Sequence, residues 1–311
     1  MAKEKKKKGS IVINIFIILL FLVGAGIFTY PTISNYWNEY RSAQLVTKYN
    51  ESVSDLSDDQ YEKLWQEAEE YNAEHKVNTI VDAFNEEDYV LSHPYDEVLD
   101  PNGDGLMGSI EIPKLNLILA IYHGLSTEVL EKGVGHVEGT SLPIGGTSTH
   151  AVLAGHRGLP SAKLFTDLDR LQKGDIFLLH IYDQVFTYEV DQIHIVEPID
   201  YGLLNIEEGE DLCTLLTCTP YGINTERLLV RGHRIANRSG DNSRITSDAA
   251  KVSTVLVAVG IGIPLLIISF IAVDVSERVP KRKKKSKNRS KNRRRKATIQ
   301  TRAKRIRTKQ T

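Results

Sequence analysis

Two long apolar segments, one near each end of the chain, constrain what this sequence can fold into more than any other feature. The first runs from Ile11 to Tyr30 and the second from Val252 to Val273. A helix of about 20 apolar residues, rising 1.5 Å per residue, crosses a hydrocarbon core of ~30 Å. The sequence therefore predicts two transmembrane helices with a large body of chain between them.

Basic residues flank both segments and indicate the topology. Residues 1–10 hold five lysines, and residues 278–311 hold 18 lysines and arginines without an acidic residue. Because basic flanks stay in the cytoplasm, both ends predict the same arrangement, with residues 31–251 outside the cell. We expect residues 11–30 to be an uncleaved signal anchor, since a cleaved signal peptide, the alternative, has only ~7–15 apolar residues.

The predicted outer body is strongly acidic. Residues 31–251 carry 37 acidic and 16 basic residues, a net charge of −21. Such a body repels nucleic acid, whose binding depends on contacts to phosphates. The basic tail is better explained by attraction to anionic lipids, which contributes about 1 kcal/mol for each basic residue near the surface. Membrane lipids are therefore expected partners, and nucleic acid is not.

The first part of this body has a helical pattern. Apolar spacing predicts helices over Ser34–Asn50 and Asp58–His75, and a capping box, Ser57–Gln60, begins the second. Both are rich in Glu and Tyr, which favours a packing and spacer element near the membrane. The stretch Asn78–Asn102 has no sustained period and predicts a long loop.

From residue 108 the pattern changes to short β-branched runs separated by turn signals, which is typical of a mostly antiparallel barrel or sandwich. A helix is expected near Ser161–Leu168 and a turn at Thr127–Lys132. The predicted strands are Ser109–Ile112, Leu117–Tyr122, His150–Ala154, Ile176–His180, Gln184–Ile195, Leu212–Thr217 and Arg227–His233.

Motifs for nucleotide or zinc chemistry are missing from the sequence. It has no GxGxxG after a strand, no Gly-rich loop ending in Lys-Ser/Thr and no HExxH. One calcium-loop pattern is present, with candidate ligands Asp100, Asn102, Asp104 and Glu111. An EF-hand needs a helix on each side, whereas Glu111 lies in a predicted strand, so a polar turn is the preferred interpretation and calcium the alternative.

The two cysteines, Cys213 and Cys218, lie on one predicted strand, where a bridge between them would be strained. Cys218 ends this strand beside a Thr-Pro-Tyr-Gly turn, a place that a substrate can reach. We expect Cys213 to be a small buried apolar residue.

Acyl transfer by a cysteine needs a nucleophile, a proton carrier and a group that stabilises the oxyanion. Cys218, His156 and Arg227 all fall at predicted strand ends and could fill these roles. Nine histidines and many arginines make such a trio easy to meet by accident, so spacing alone does not decide.

The sequence Thr214–Cys218, TLLTC, with Arg227 nine positions later and His156 after an Ala-Gly strand end, resembles the sortase signature TLxTC…R. The motifs EGTSLP at 138–143 and HRGLP at 156–160 are similar to those of class C, pilin-polymerising sortases. The resemblance is close over about 108–235 and extends to the layout of the whole chain. It implies a mostly β fold: an eight-stranded sortase barrel with short helices, an N-terminal helical segment and two transmembrane helices.

The resemblance also implies a reaction. Such an enzyme cleaves an LPXTG-type sorting signal between Thr and Gly, holds the acyl group as a thioester and passes it to a pilin lysine, which builds covalent pili. Cys218 would be the nucleophile, His156 the general acid and base, and Arg227 the group that positions the substrate and stabilises the oxyanion. No cofactor or metal is implied, and the partners are pilins with sorting signals.

Two alternatives stay open. One is a sortase that joins surface proteins to a peptidoglycan amine, and the other is a membrane scaffold that binds pilins without catalysis.

Class C sortases carry a lid before the barrel, usually Asp-Pro-aromatic, whose Asp faces the catalytic Arg and whose ring covers the Cys. Asp82-Ala83-Phe84 stands in the matching region. Because Ala83 replaces proline, the loop lacks a fixed φ, and we expect the lid to open readily. The alternative is an ordinary loop triplet.

These inferences divide the chain into seven segments. They are a basic cytoplasmic N-terminus (1–10), a transmembrane anchor (11–30), a helical segment with the lid (31–107), a catalytic barrel (108–238), a linker (239–251), a transmembrane helix (252–273) and a basic cytoplasmic tail (274–311). The expected location is the cell membrane, with two passes and the barrel outside.

Overall fold

The computed structural model describes residues 2–75, 91–198, 200–238, 260 and 262–264, without the side chains of residues 2–15, 17 and 18. The chain forms two compact units, Met1–Leu256 and Val257–Thr311. All the described strands belong to the first unit. The described residues of the second unit are helical.

Among the described residues, two α-helices come before the first strand: α1 (Ala2–Ser54) and α2 (Asp58–Glu74). The sequence predicts a helix beginning at Ser34, whereas α1 continues without a break through Pro31. Helix α2 begins at the predicted capping box, in which the Ser57 hydroxyl accepts a hydrogen bond from the Gln60 backbone N–H and the Gln60 side chain accepts one from the Ser57 N–H. Two of the amide donors at the start of α2 are thereby satisfied.

Within the described part of the chain, no helix is both long and apolar enough to cross a membrane. Most of the second predicted membrane segment, 252–273, lies outside the described residues.

Eight strands close into a barrel: β1 (Leu106–Ile112), β2 (Leu117–His123), β3 (Val134–His136), β4 (Thr149–Ala154), β5 (Ile176–Ile181), β6 (Gln184–Val196), β7 (Asp211–Thr219) and β8 (Glu226–Ile235). Their order around the barrel is β1-β2-β3-β4-β7-β8-β6-β5, and β5 pairs with β1. The pairs β2–β3 and β4–β7 are parallel and the others antiparallel. The predicted mostly antiparallel, eight-stranded barrel is confirmed.

Three local features differ from the sequence predictions. Strand β3 has only three residues and was not predicted, while Thr127–Lys132, expected as a turn, forms the short helix α3. The helix predicted over Ser161–Leu168 is wrong, since this stretch consists of turns that lead into a 3₁₀-helix at Leu168–Arg170. Leu164 has a φ of 38°, a left-handed conformation that an α-helix cannot contain.

Strands β4 and β7 lie side by side and are buried along almost their whole length. Each contributes to the apolar core through residues such as Leu153 and Leu215, both 0% exposed. Because their side chains are fixed by close packing, the residues at their carboxyl ends are held on a rigid base.

Candidate active site

The thiol and the arginine singled out by the sequence lie on neighbouring strands. In the antiparallel β7–β8 ladder, Cys218 pairs directly with Arg227. Residues opposite each other in such a pair have Cβ atoms about 4.5–5.5 Å apart and side chains on the same face. The structure therefore brings Cys218 and Arg227 together.

Both side chains lie mostly inside the protein. Cys218 is 8% exposed and Arg227 is 6% exposed. The Nη1 atom of Arg227 donates to the carbonyls of Glu226 at 3.2 Å and Asn224 at 3.4 Å, so the turn before β8 orients the guanidinium. A guanidinium keeps its charge when buried, and a low-dielectric surrounding strengthens its attraction for a nearby anion.

Strand β4 brings the histidine to the same end of the barrel. In the parallel β4–β7 ladder, Ala154 pairs with Leu216, and the next residue, Gly155, still donates its N–H to the Leu216 carbonyl at 3.1 Å. Counting on by two residues from the Ala154 pair aligns His156 with Cys218. The half-buried His156 is thus placed at the level of the thiol.

The loop that carries His156 fits closely against its surroundings. The Thr217 hydroxyl donates to the Gly155 carbonyl at 2.7 Å, and the Phe165 N–H donates to the His156 carbonyl at 3.1 Å. A Cβ atom at Gly155 would stand 2.8 Å from the Phe165 ring, which is too close. Glycine at this position therefore allows the ring to support the histidine loop.

Burial lowers the pKa of the His156 imidazole below its ordinary value, and the carboxylate of Glu131 acts in the opposite direction. At neutral pH the neutral imidazole is favoured. A neutral imidazole can accept a proton from a thiol, as a general base must.

Three other histidines and the second cysteine are buried in the fold, where they have a structural role. His123, His136 and His150 are buried, and both ring nitrogens of each lie within hydrogen-bonding distance of protein atoms. Cys213 is 0% exposed, and burial raises the pKa of its thiol well above the ordinary value. Cys213 is therefore the buried apolar residue that the sequence predicts, and no disulfide joins the two cysteines.

The proposed lid residues Asp82 and Phe84 lie outside the described residues. Residue 91, at the far side of that gap, is followed by Ser92, which donates through its backbone N–H to the Glu138 carboxylate at 3.0 Å. The chain after the lid segment is thus tied to the barrel.

In the segment with the calcium-loop pattern, the Asp100 side chain binds backbone groups of its own turn, as the preferred polar-turn interpretation expects. The Asp100 carboxylate accepts hydrogen bonds from the N–H groups of Asp104 at 3.1 Å and Gly105 at 2.8 Å. Glu111 lies in β1, as predicted, and its Oε2 atom is 3.3 Å from Nε2 of His180. Among the described residues, no group of three or more His, Cys, Asp or Glu side chains is placed to hold a metal ion.

One further residue beside the site belongs to the HRGLP motif, and the sequence predicts no role for it. Arg157 directly follows His156, and its guanidinium binds Thr219 and Asp169. Its place directly after His156 in the HRGLP motif is its only signal in the sequence, because its two partners lie 62 and 12 positions away along the chain.

Comparisons with known proteins identify relatives of this chain. A family model for the sortase domain matches residues 110–235. Sortase D of Bacillus subtilis (strain 168) is 33% identical over 131 residues, which cover 41% of this chain and 63% of that protein. The chain thus spans less than two thirds of that relative.

Solved structures match over a longer stretch. The crystal structure of Streptococcus pneumoniae sortase C, studied for catalysis and pilin substrate specificity, is 45% identical with a TM-score of 0.59, and the match covers 62% of this chain and 98% of that chain. Sortase C1 from Streptococcus agalactiae is 44% identical with a TM-score of 0.57, over 63% of this chain and 100% of that one.

Proposed function

This chain belongs to the sortase family, and on that basis we propose that it is a cysteine transpeptidase of the class C, pilin-polymerising type. The observation that carries the proposal is the alignment of three strand ends, in which Cys218 pairs with Arg227 and the β4 register leads His156 to the level of Cys218. The similarity to sortase C structures supports the pilin as substrate.

In the first half of the reaction, the Cys218 sulfur attacks the carbonyl carbon between Thr and Gly of an LPXTG-type signal, and the thiol proton passes to His156. The negative charge that develops on the carbonyl oxygen is stabilised by Arg227. When the C–N bond breaks, His156 donates its proton to the leaving glycine amine, and a thioester remains on Cys218.

In the second half, a lysine amine of the acceptor pilin attacks the thioester. His156 accepts the proton that the amine loses, the C–S bond breaks, and the thiolate of Cys218 is protonated again. The product is an isopeptide bond between two pilin subunits, and no cofactor takes part in these steps.

The test uses the full chain in detergent with a pilin that carries a sorting signal. We expect wild type to form a thioester adduct, visible by mass spectrometry, and ladders of linked pilin. Cys218→Ala should abolish both products, whereas Cys213→Ala, the matched control, should keep them because Cys213 is fully buried. Equal inactivation by the two substitutions in folded protein would contradict the assignment of the nucleophile.

The same assay separates the alternatives. A thioester without ladders, combined with transfer to a peptidoglycan-type amine, would indicate cell-wall anchoring. Binding of pilin without any adduct on Cys218 would indicate a scaffold.

We also propose that the two apolar segments cross the membrane and that the barrel lies outside the cell. In support, apolar side chains along α1 are exposed, including Phe16 at 65%, Ile27 at 71% and Phe28 at 83%. Continuous exposed apolar surface of this kind favours lipid contact. Protease added to intact cells should remove the barrel and leave both termini protected, and cleavage at either terminus would overturn the topology.

A further inference from the structure

Arg157 connects the loop that carries the proposed proton carrier, His156, to the end of strand β7, which carries the proposed nucleophile, Cys218. Its Nη1 donates to the Thr219 hydroxyl at 3.0 Å, and Thr219 directly follows Cys218. Its Nη2 binds the Asp169 carboxylate at 2.5 Å, in the 3₁₀-helix Leu168–Arg170. One side chain thus links the end of β4, the end of β7 and the segment packed beneath them.

Two side-chain hydrogen bonds enclose the site from either side. The Thr217 hydroxyl binds the Gly155 carbonyl, one residue before His156 and Cys218. The Arg157–Thr219 bond lies one residue after them. Strand β4 ends at Ala154, and the backbone of Gly155 is the last part of this segment that is bonded to β7. Beyond Gly155, the Arg157–Thr219 bond fixes the distance between the segment after β4 and the end of β7.

The burial of Arg157 is unfavourable for the stability of the fold. Its side chain is only 7% exposed, while the side chain of its charged partner Asp169 is 50% exposed. The Nε atom is buried and has no hydrogen-bond partner among the described residues. A buried charge with an unsatisfied donor costs folding free energy, which points to a constraint from function.

We propose that Arg157 is a positioning residue: by bridging Thr219 and Asp169 it holds His156 beside Cys218 at the separation that proton transfer needs. This inference rests on the proposed function, because it assumes that these two residues exchange a proton. Proton transfer requires heavy atoms about 2.6–3.2 Å apart, and a misplacement of about 1 Å can lower the rate on the order of 10²-fold.

The experiment compares variants of the full chain in cleavage of an LPXTG-type peptide. Arg157→Gln removes the charge and the bridge. Thr219→Val removes only the oxygen that accepts the bond, whereas Thr219→Ser keeps that oxygen and is its conservative counterpart. Arg234→Gln is the matched control: Arg234 is also mostly buried, but it packs on Phe186, far along β8 from Arg227.

We expect Arg157→Gln and Thr219→Val to lower kcat about 10-fold or more with little change in KM, because positioning and not binding is lost. Thr219→Ser should recover most of the activity. Arg234→Gln should lower the unfolding temperature and leave kcat of the folded protein unchanged.

Alkylation of Cys218 by iodoacetamide, measured across pH, gives a second readout that a purely structural role would not move. Because Cys213 is fully buried, native alkylation reports Cys218. The pH at which the alkylation rate is half-maximal, the midpoint, should shift in Arg157→Gln and in Thr219→Val. An active wild type whose kcat and midpoint stay unchanged in both variants at equal folded fraction would overturn the positioning role, whereas an inactive wild type would overturn the proposed function itself.

Discussion

Arg227 is a charged residue with 6% of its surface exposed, opposite Cys218 in the β7–β8 ladder. Its hydrogen bonds to the turn carbonyls of Asn224 and Glu226 orient a flat guanidinium whose position is fixed before a substrate arrives. A preorganised donor of this kind stabilises a developing oxyanion without reorganising during the reaction.

Arg227→Lys tests this orientation. Lysine keeps the positive charge but loses the planar set of donors, so it cannot hold two oxygens at once. We expect kcat for peptide cleavage to fall at least ~10²-fold, as when an oxyanion donor is removed. Near-normal turnover in folded Arg227→Lys would reduce Arg227 to a structural role.

At the residue scale, the burial of His136 makes the stability of the protein depend on pH. It is fully buried in the barrel, and burial lowers the pKa of its imidazole to about 3, from 6.5. The Tyr95 hydroxyl lies 2.9 Å from Nδ1 and the Ser141 carbonyl 2.8 Å from Nε2, which suits the neutral ring. The unfolded chain therefore binds a proton that the folded state excludes.

The free energy of unfolding should therefore decrease as the pH is lowered. The contribution of neutral His136 is complete above about pH 6.5 and is lost progressively as the pH falls toward 3, by about 2 kcal/mol between pH 7 and pH 5. His136→Gln should make the unfolding free energy less dependent on pH over this range, as measured by denaturant titrations. Some dependence should remain, since burial also lowers the pKa of His150. An unchanged slope in His136→Gln would contradict the assignment.

At the scale of elements, a buried tyrosine is one of the residues of helix α1 that hydrogen-bond to the barrel, as Ser42 also does through the Ala120 N–H. The Tyr49 hydroxyl donates to the Met107 carbonyl in β1 at 2.6 Å and accepts the Tyr182 N–H, at the β5–β6 turn, at 3.0 Å. Tyr49 is 2% exposed, so no water can replace these bonds easily. The helix and two parts of the barrel are held by the same atom.

Tyr49→Phe should therefore destabilise the fold by about 1–3 kcal/mol, because both backbone groups lose their partner in a buried place. Turnover of the folded variant should stay normal, since the active site lies at other strand ends. Tyr40→Phe is the control on the same helix: its hydroxyl accepts a bond from the exposed Gln44, and we expect a change within about 0.5 kcal/mol. A Tyr49→Phe variant as stable as Tyr40→Phe would show that the bonds contribute little.

At the scale of the whole molecule, substrate must reach the Cys218 thiol, which is only 8% exposed. If Asp82 pairs with Arg227 and Phe84 covers Cys218, the resting enzyme holds a tethered competitor at high effective concentration. Apparent substrate affinity then falls by the fraction of molecules that are open.

Asp82→Ala combined with Phe84→Ala should speed alkylation of Cys218 and raise cleavage of a short LPXTG-type peptide. We expect a modest gain, because alanine instead of proline at position 83 leaves φ unrestricted, which should favour opening. Glu86→Ala combined with Glu87→Ala, in the same segment, is the control and should leave both rates unchanged. Equal alkylation rates in the two double variants would overturn the lid while leaving the three catalytic assignments untouched.

Local sequence determined much of this protein. Alternating β-branched runs with turn signals predicted seven of the eight strands, and the capping box placed the start of α2. These features depend on neighbouring residues, so a single sequence reveals them. The TLLTC motif also located Cys218 at a strand end, because the turn residues follow directly.

Contacts between distant segments were decided by the tertiary structure alone. Strand β3 is three residues long and depends on its neighbours β2 and β4, while the Ser161–Leu168 stretch gives up its helical tendency to support His156 through Phe165. The parallel pairing of β4 with β7 leads one of the nine histidines, His156, to the level of Cys218, and the bond from Arg157 to Thr219 joins residues 62 positions apart. Such pairings arise from closure of the barrel, in which every strand must satisfy its hydrogen bonds on both edges, and no local pattern encodes that condition.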